Sequence, residues 1–151
     1  VVNKWDLAKG KELPGGIILD EKRAEQEIRD RLKFLEGVPI LFTSATLGKG
    51  IKRVLDSALH VYEQWTRHID RSDLKQTIMD AVAEHPPPSG RKRDIRIYTV
   101  DQFQSAPPSF VFRVNEPERL HFSYHRYLEN RLRAKFGFGG VPLKLHFRGR
   151  R

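Results

Sequence analysis

The sequence predicts two units in series: an incomplete α/β unit with a parallel sheet over residues 1–65, and a compact α+β unit over residues 71–151. A polar linker at 66–70 separates them. Three observations predict this. The run VPILFT at 38–43 is continuously apolar, as in a strand covered on both faces of a parallel sheet. Flanking segments repeat apolar residues every three or four positions, the mark of helices packed by one side. In the second half, IRIYTV, FVFRV and PLKLHF alternate apolar with polar, as half-buried strands do.

Taken in order, Val1-Val2 reads as the end of a buried strand, and residues 7–19 as a loop around Pro14-Gly15-Gly16. A helix is expected from Asp20, with Ala24, Ile28, Leu32 and Leu35 inward and Gly37 as its stop. After the apolar strand and a loop at 44–50, a second helix places Ile51, Val54, Leu55, Ala58, Leu59, Tyr62 and Trp65 on one side. The order β-loop-α-β-α is half of an α/β sandwich, too little to cover both faces of a sheet, and implies more chain upstream. The second unit reads α-β-β-α-β. Its first helix has Ser72 as N-cap and Leu74, Ile78, Ala81 and Val82 inward, and stops at Pro86-Pro87-Pro88. Strands are expected at 95–100 and 110–114. The next helix has Ser123 as N-cap, a staple between Phe122 and Tyr127, and a stripe of Tyr124, Leu128, Leu132 and Phe136. Glycines at 137–140 break it, and 142–147 is the last strand.

Composition narrows the function. The absence of cysteine excludes disulfides and thiolate metal sites and fits a reducing, cytoplasmic setting. Apolar runs are a few residues long, too short to span a bilayer, so no membrane partner is expected. Charge is unevenly placed. Residues 1–70 hold 12 Lys and Arg against 11 Asp and Glu, and residues 71–151 hold 16 against 8, so +8 of the net +9 lies in the second half. Such a surface attracts polyanions, above all nucleic acid, by releasing condensed counterions.

The opening segment VVNKWDL carries chemistry. A carboxylate held in the plane of a base accepts two hydrogen bonds from guanine's ring N–H and exocyclic amine. Adenine presents no such pair, and a buried charge left unpaired costs about 1–3 kcal/mol or more. Asp6 suits that role, Asn3 bridges the base edge to neighbouring loops, and the aliphatic stem of Lys4 covers the base face. A second loop, Thr43-Ser44-Ala45, follows the apolar run, where the backbone N–H of a small residue, Ala45, can approach guanine's carbonyl, with Ser44 bracing the loop that holds Asp6. The phosphate end is missing. No G-x-x-x-x-G-K-[ST] occurs: Gly48-Lys49 is followed by Gly50, and Thr43 stands where the first glycine belongs. No Asp is followed three residues later by Gly. Catalytic residues are therefore none, and this chain alone is expected not to hydrolyse GTP.

These residues resemble the bacterial ribosome-assembly GTPase family Der, also called EngA. The likeness covers Asn3-Lys4-Trp5-Asp6, Ser44-Ala45-Thr46, His85-Pro86-Pro87-Pro88, Gly90-Arg91-Lys92-Arg93, Ala106-Pro107-Pro108, the stretch SYHRYLENRLR at 123–133, and Gly140-Val141-Pro142-Leu143. The resemblance implies that residues 1–65 are the C-terminal part of a second P-loop GTPase G domain and 71–151 a KH-like domain. It further implies GTP/GDP bound by its guanine end through Asn3, Lys4, Asp6, Ser44 and Ala45, with Mg²⁺ and hydrolysis in the full-length protein. The implied partners are the large ribosomal subunit and its rRNA, and the upstream G domains of the same protein. Thr46 stands where the family more often has lysine or leucine. An Era-type GTPase ending in a KH domain is the weaker likeness, because no G-x-x-G loop lies between two helices.

Gly137-Phe138-Gly139-Gly140 matches G-x-x-G in letters but falls between a helix and a strand, and reads as a helix stop and turn. The RNA candidate is instead a sheet face. With Ile95, Ile97, Phe110, Phe112, Leu143, Leu145 and Phe147 turned to the helices, alternation sends Arg96, Tyr98, Arg113, Lys144, His146 and Arg148 outward. Arg91, Lys92 and Arg93, with Arg148, Arg150 and Arg151, add phosphate contacts. RNA binding and docking onto another domain of the same protein both stay open. His121 and His125 are four apart without a third ligand, so no metal site is expected. Glu116 and Glu118 read as solvated loop carboxylates.

Overall fold

The computed structural model describes residues 1–33, 37–88 and 94–149. It divides into two compact units, Val1–Tyr62 and Glu63–Arg151.

In the first unit, Val2 and Phe42 form a single parallel bridge, held by the Val2 N–H to the Leu41 carbonyl (2.7 Å) and the Thr43 N–H to the Val2 carbonyl (2.9 Å). The parallel pairing is as expected, but the apolar run is a bridge rather than a strand and is half-buried rather than covered. Val1 is exposed. The expected loop at 7–19 contains a small hairpin, β1 (Glu12–Leu13) and β2 (Ile17–Ile18), turned at Gly15 and Gly16, both at positive φ. Helix α1 (Glu21–Arg31) is capped by the Asp20 carboxylate, which accepts from the Arg23 N–H at 2.8 Å. It ends well before Gly37, and only Ala24 on it is buried; Leu35 lies outside the described residues. Helix α2 (Ile51–Thr66) leaves Ile51, Leu55, Leu59 and Tyr62 exposed on its apolar side.

The second unit has the expected α-β-β-α-β order. Helix α3 (Arg71–Glu84) is capped by Asp70 rather than Ser72: its carboxylate accepts from the Ser72 hydroxyl and from the Ser72 and Asp73 N–H groups, and these bonds, the hydroxyl's first, hold the Asp70 carboxyl below its usual range. Strands β3 (Ile97–Ser105) and β4 (Pro108–Val114) form an antiparallel hairpin whose turn includes a cis Ala106–Pro107 bond. Helix α4 (Phe122–Phe136) returns the chain so that β5 (Lys144–Gly149) pairs parallel with β4, giving the order β3-β4-β5. A parallel partner demands such a crossover.

Leu74, Ile78 and Ala81 of α3 and Tyr124, Leu128 and Leu132 of α4 are buried with Phe110, Phe112 and Val114 of the sheet. Each large side chain so buried stabilises by roughly 1.5–3 kcal/mol before ordering costs. Beneath the sheet a stack runs from Phe112 to Phe147 (4.8 Å) to the His125 ring (4.0 Å). The N-cap of α4 is His121, whose Nδ1 accepts from the Ser123 N–H, not Ser123 itself. The expected staple is absent: Phe122 is exposed under the Arg126 guanidinium, whereas Tyr127 donates to the Ala81 carbonyl. The Tyr124 hydroxyl donates to the His85 carbonyl at 2.7 Å, and burial, with Tyr127 nearby, pushes it up to about 12.

The 137–140 loop is structural. Gly137 ends α4 at φ +89°, and Phe138 is fully buried edge-on to Phe110. The Phe138 N–H donates to Oε1 of buried Gln64 at 2.9 Å. Arg133 grips the same loop, donating to the Phe138 and Val141 carbonyls while paired with Glu129. Glu116, expected to be solvated, is half-buried and paired with Arg119.

Candidate functional site

The candidate residues fall in two places, one in each unit. In the first, the bridge at Val2 carries the chain into a left-handed residue, Lys4 (φ 58°), and then a 3₁₀ turn at Trp5–Leu7. The turn is anchored from beneath: Trp5 is buried with its ring 4.5 Å from that of Phe42, and its backbone N–H donates to the Thr43 carbonyl at 2.9 Å. Lys4 and Asp6, on either side of that anchor, are exposed.

Asn3 joins this turn to the second loop. Its Oδ1 accepts from the Ala45 N–H and from the Thr43 hydroxyl, both at 3.2 Å. Residues forty positions apart in sequence are thereby held together. Ser44 does not brace the Asp6 loop. Its hydroxyl accepts from the Leu47 N–H, and its backbone exchanges bonds with Lys49 at 3.0 Å, closing its own turn. Thr43 and Asn3 do the bracing instead. Sequence reasoning also passed over Gly50, whose φ is +78° and where an added Cβ would lie 2.6 Å from the Phe42 carbonyl oxygen.

In the second unit, the outer sheet face is partly as expected. Lys144 and Arg148 are exposed, and Arg113 and His146 half-exposed. Arg96 is exposed just before β3, its backbone held to Asn115 at 2.8 Å. Register places Arg113 directly beside Arg148, and Val111 beside His146. Tyr98 is exposed at an irregularity between Ile97 and Thr99, outside the ladder. That shift moves Val100 inward, and Thr99 and Asp101 face Arg113 and Val111 on the outer side. Asp101 is paired with Arg71 at 2.8 Å. A second irregularity between Gln102 and Gln104 carries Phe103, exposed and 5.4 Å from the His146 ring. The alternation stopped at Val100 and missed Phe103. Arg91, Lys92, Arg93, Arg150 and Arg151 lie outside the described residues. His121 and His125 serve as cap and stacked ring.

Residues 68–148 match the family model described as the KH-domain-like domain of EngA bacterial GTPase enzymes, C-terminal. The chain belongs to this family. Across nearly its whole length it is similar to proteins named GTPase Der. It is 40% identical over 149 residues to that of Thermomicrobium roseum, covering 99% of this chain and 32% of the relative. It is 38% identical over 153 residues to that of Desulforamulus reducens, covering 99% and 33%, and 40% identical over 151 residues to that of Geobacter metallireducens, again 99% and 33%. The chain thus spans about a third of the length of the curated relatives it matches. Among the described residues, no helix is long and apolar enough to cross a membrane.

Proposed function

We propose that this chain is the guanine-reading and RNA-contacting part of a cytoplasmic GTPase that acts in assembly of the large ribosomal subunit. Residues 1–65 form the C-terminal part of a G domain, 66–70 the linker, and 71–151 a KH-like domain that contacts rRNA and works with the upstream G domains. The observation that carries the nucleotide reading is the Asn3 side chain joined to Thr43 and to the Ala45 N–H, which fastens the two base-reading loops together. In this reading Asp6 accepts from the guanine edge, Lys4 covers the base and Ala45 offers its N–H. GTP hydrolysis and Mg²⁺ belong to the longer protein, and this chain by itself is inactive. The test is Asp6→Asn in the longer chain. An amide accepts at one position and donates at the other, so preference shifts from guanine towards xanthine nucleotides. An unchanged preference removes Asp6 from the role.

For RNA, the supporting observation is Arg113 set directly beside Arg148. Like charges opposite one another on a sheet destabilise it, and a bound phosphate relieves that cost. The pair Arg96→Glu with Lys144→Glu flattens the log–log dependence of RNA binding on salt. An unchanged slope turns this face into a docking surface for other domains of the same protein.

A further inference from the structure

We propose that Phe103 and His146 form a stacking site for unpaired bases, so that the outer sheet face takes single-stranded rather than duplex RNA. This rests on the RNA reading above and names its ligand class. Phe103 is 55% exposed at the second irregularity of β3, the more exposed of the two aromatic rings of that strand, Tyr98 being 37% exposed at the first. Single exposed apolar residues are ordinary; the surroundings set this one apart. Its ring meets the edge of His146 from the opposite side strand of the sheet, at 5.4 Å and an interplanar angle of 62°. The two rings make a corner, and Phe103 is the more exposed of them.

That corner is flanked by cations. On β5, Lys144 and Arg148 lie two residues either side of His146, about 7 Å away along the strand. Arg113 stands beside Arg148 on β4. Of the carboxylates in the strands, Asp101 shares this face and is already paired with Arg71. The face therefore offers positive charge spaced along a line with a ring between, as proteins that hold single strands do. A duplex hides the faces of its bases and presents only phosphates to such a surface. Charge complementarity selects nucleic acid over an apolar protein segment as the occupant.

The experiment uses the full 151-residue chain at low salt and fluorescence anisotropy. The probes are a short labelled oligouridylate and a labelled blunt two-stranded RNA duplex of equal charge. Expected is preference for the oligouridylate, its affinity falling about tenfold in Phe103→Ala and retained in Phe103→Trp, with duplex binding unmoved. His146→Ala gives an independent reading from the other strand if Phe103→Ala does not fold. Lys144→Glu with Arg148→Glu weakens both probes. If that charge variant weakens binding while neither ring variant changes it, stacking is overturned and the RNA reading stands. If neither RNA binds, or both ignore the charge variant, the RNA reading itself falls and takes the stacking site with it.

Discussion

Replacing Gln64 tests whether the glycine-rich loop is a structural joint. Its Oε1 is the acceptor for the Phe138 N–H, and both residues are buried. Gln64→Leu keeps the volume and removes the acceptor, leaving a buried donor unpaired at a cost of about 2 kcal/mol. For a unit of this size each kcal/mol lowers Tm by about 4–8 °C, so the expected fall is about 8–16 °C by circular dichroism. Hydrogen exchange gives the local reading: the Phe138 amide should exchange roughly thirtyfold faster. A variant with wild-type Tm and an equally protected Phe138 amide would refute the reasoning, and would reopen the loop as a backbone clamp for nucleic acid.

Two further outcomes follow from buried geometry. His125 has its Nε2 buried with no partner among the described residues, and burial, then His121 nearby, pushes the imidazole below its ordinary value. The unfolded chain therefore takes up a proton more readily than the folded one as pH falls below about 6.5. Stability is full above that pH and declines beneath it; His125→Phe, which keeps the ring stack, should make the denaturant midpoint less sensitive to acid, and an identical pH profile would count against the argument. In the first unit, Gly50→Ala places a methyl against the Phe42 carbonyl at a left-handed position, a cost of at least about 1–2 kcal/mol. The amides of Ser44 and Lys49 should lose protection, while Gly48→Ala, with nothing within 4 Å, should disturb them less; equal effects would show that the close approach is unimportant.

The second unit was legible because each element carries its own period: Leu74, Ile78 and Ala81 on a helix, Phe110 and Phe112 on a strand. Helix starts were less so. A serine in the right place looks like a cap, yet Asp70 and His121 reach the free N–H groups first, and only backbone geometry decides between neighbours. The apolar run at 38–43 announced burial, but a strand needs a partner, which letters in one segment cannot supply. The same limit applies to the sheet face. Two interruptions in β3 change which side chains face outward, so Phe103 was invisible to alternation while Lys144 and Arg148, on an uninterrupted strand, were not. In the first unit, the identities of Asn3, Asp6 and Ala45 were readable as a motif. The division of labour between Ser44 and Thr43 was not, because it depends on which hydroxyl points across the gap.

The grip of Arg133 on the Phe138 and Val141 carbonyls has a consequence for how a guest is received. By fastening the approach to β5, it holds that rim of the sheet in place, so that in the RNA complex proposed above the cations of β5 would already stand in position. The opposite rim is β3, which twice breaks step with its neighbour and there turns Tyr98 and Phe103 outward. A guest held as proposed would then lie between an anchored row of charge on one edge strand and an exposed ring on the other.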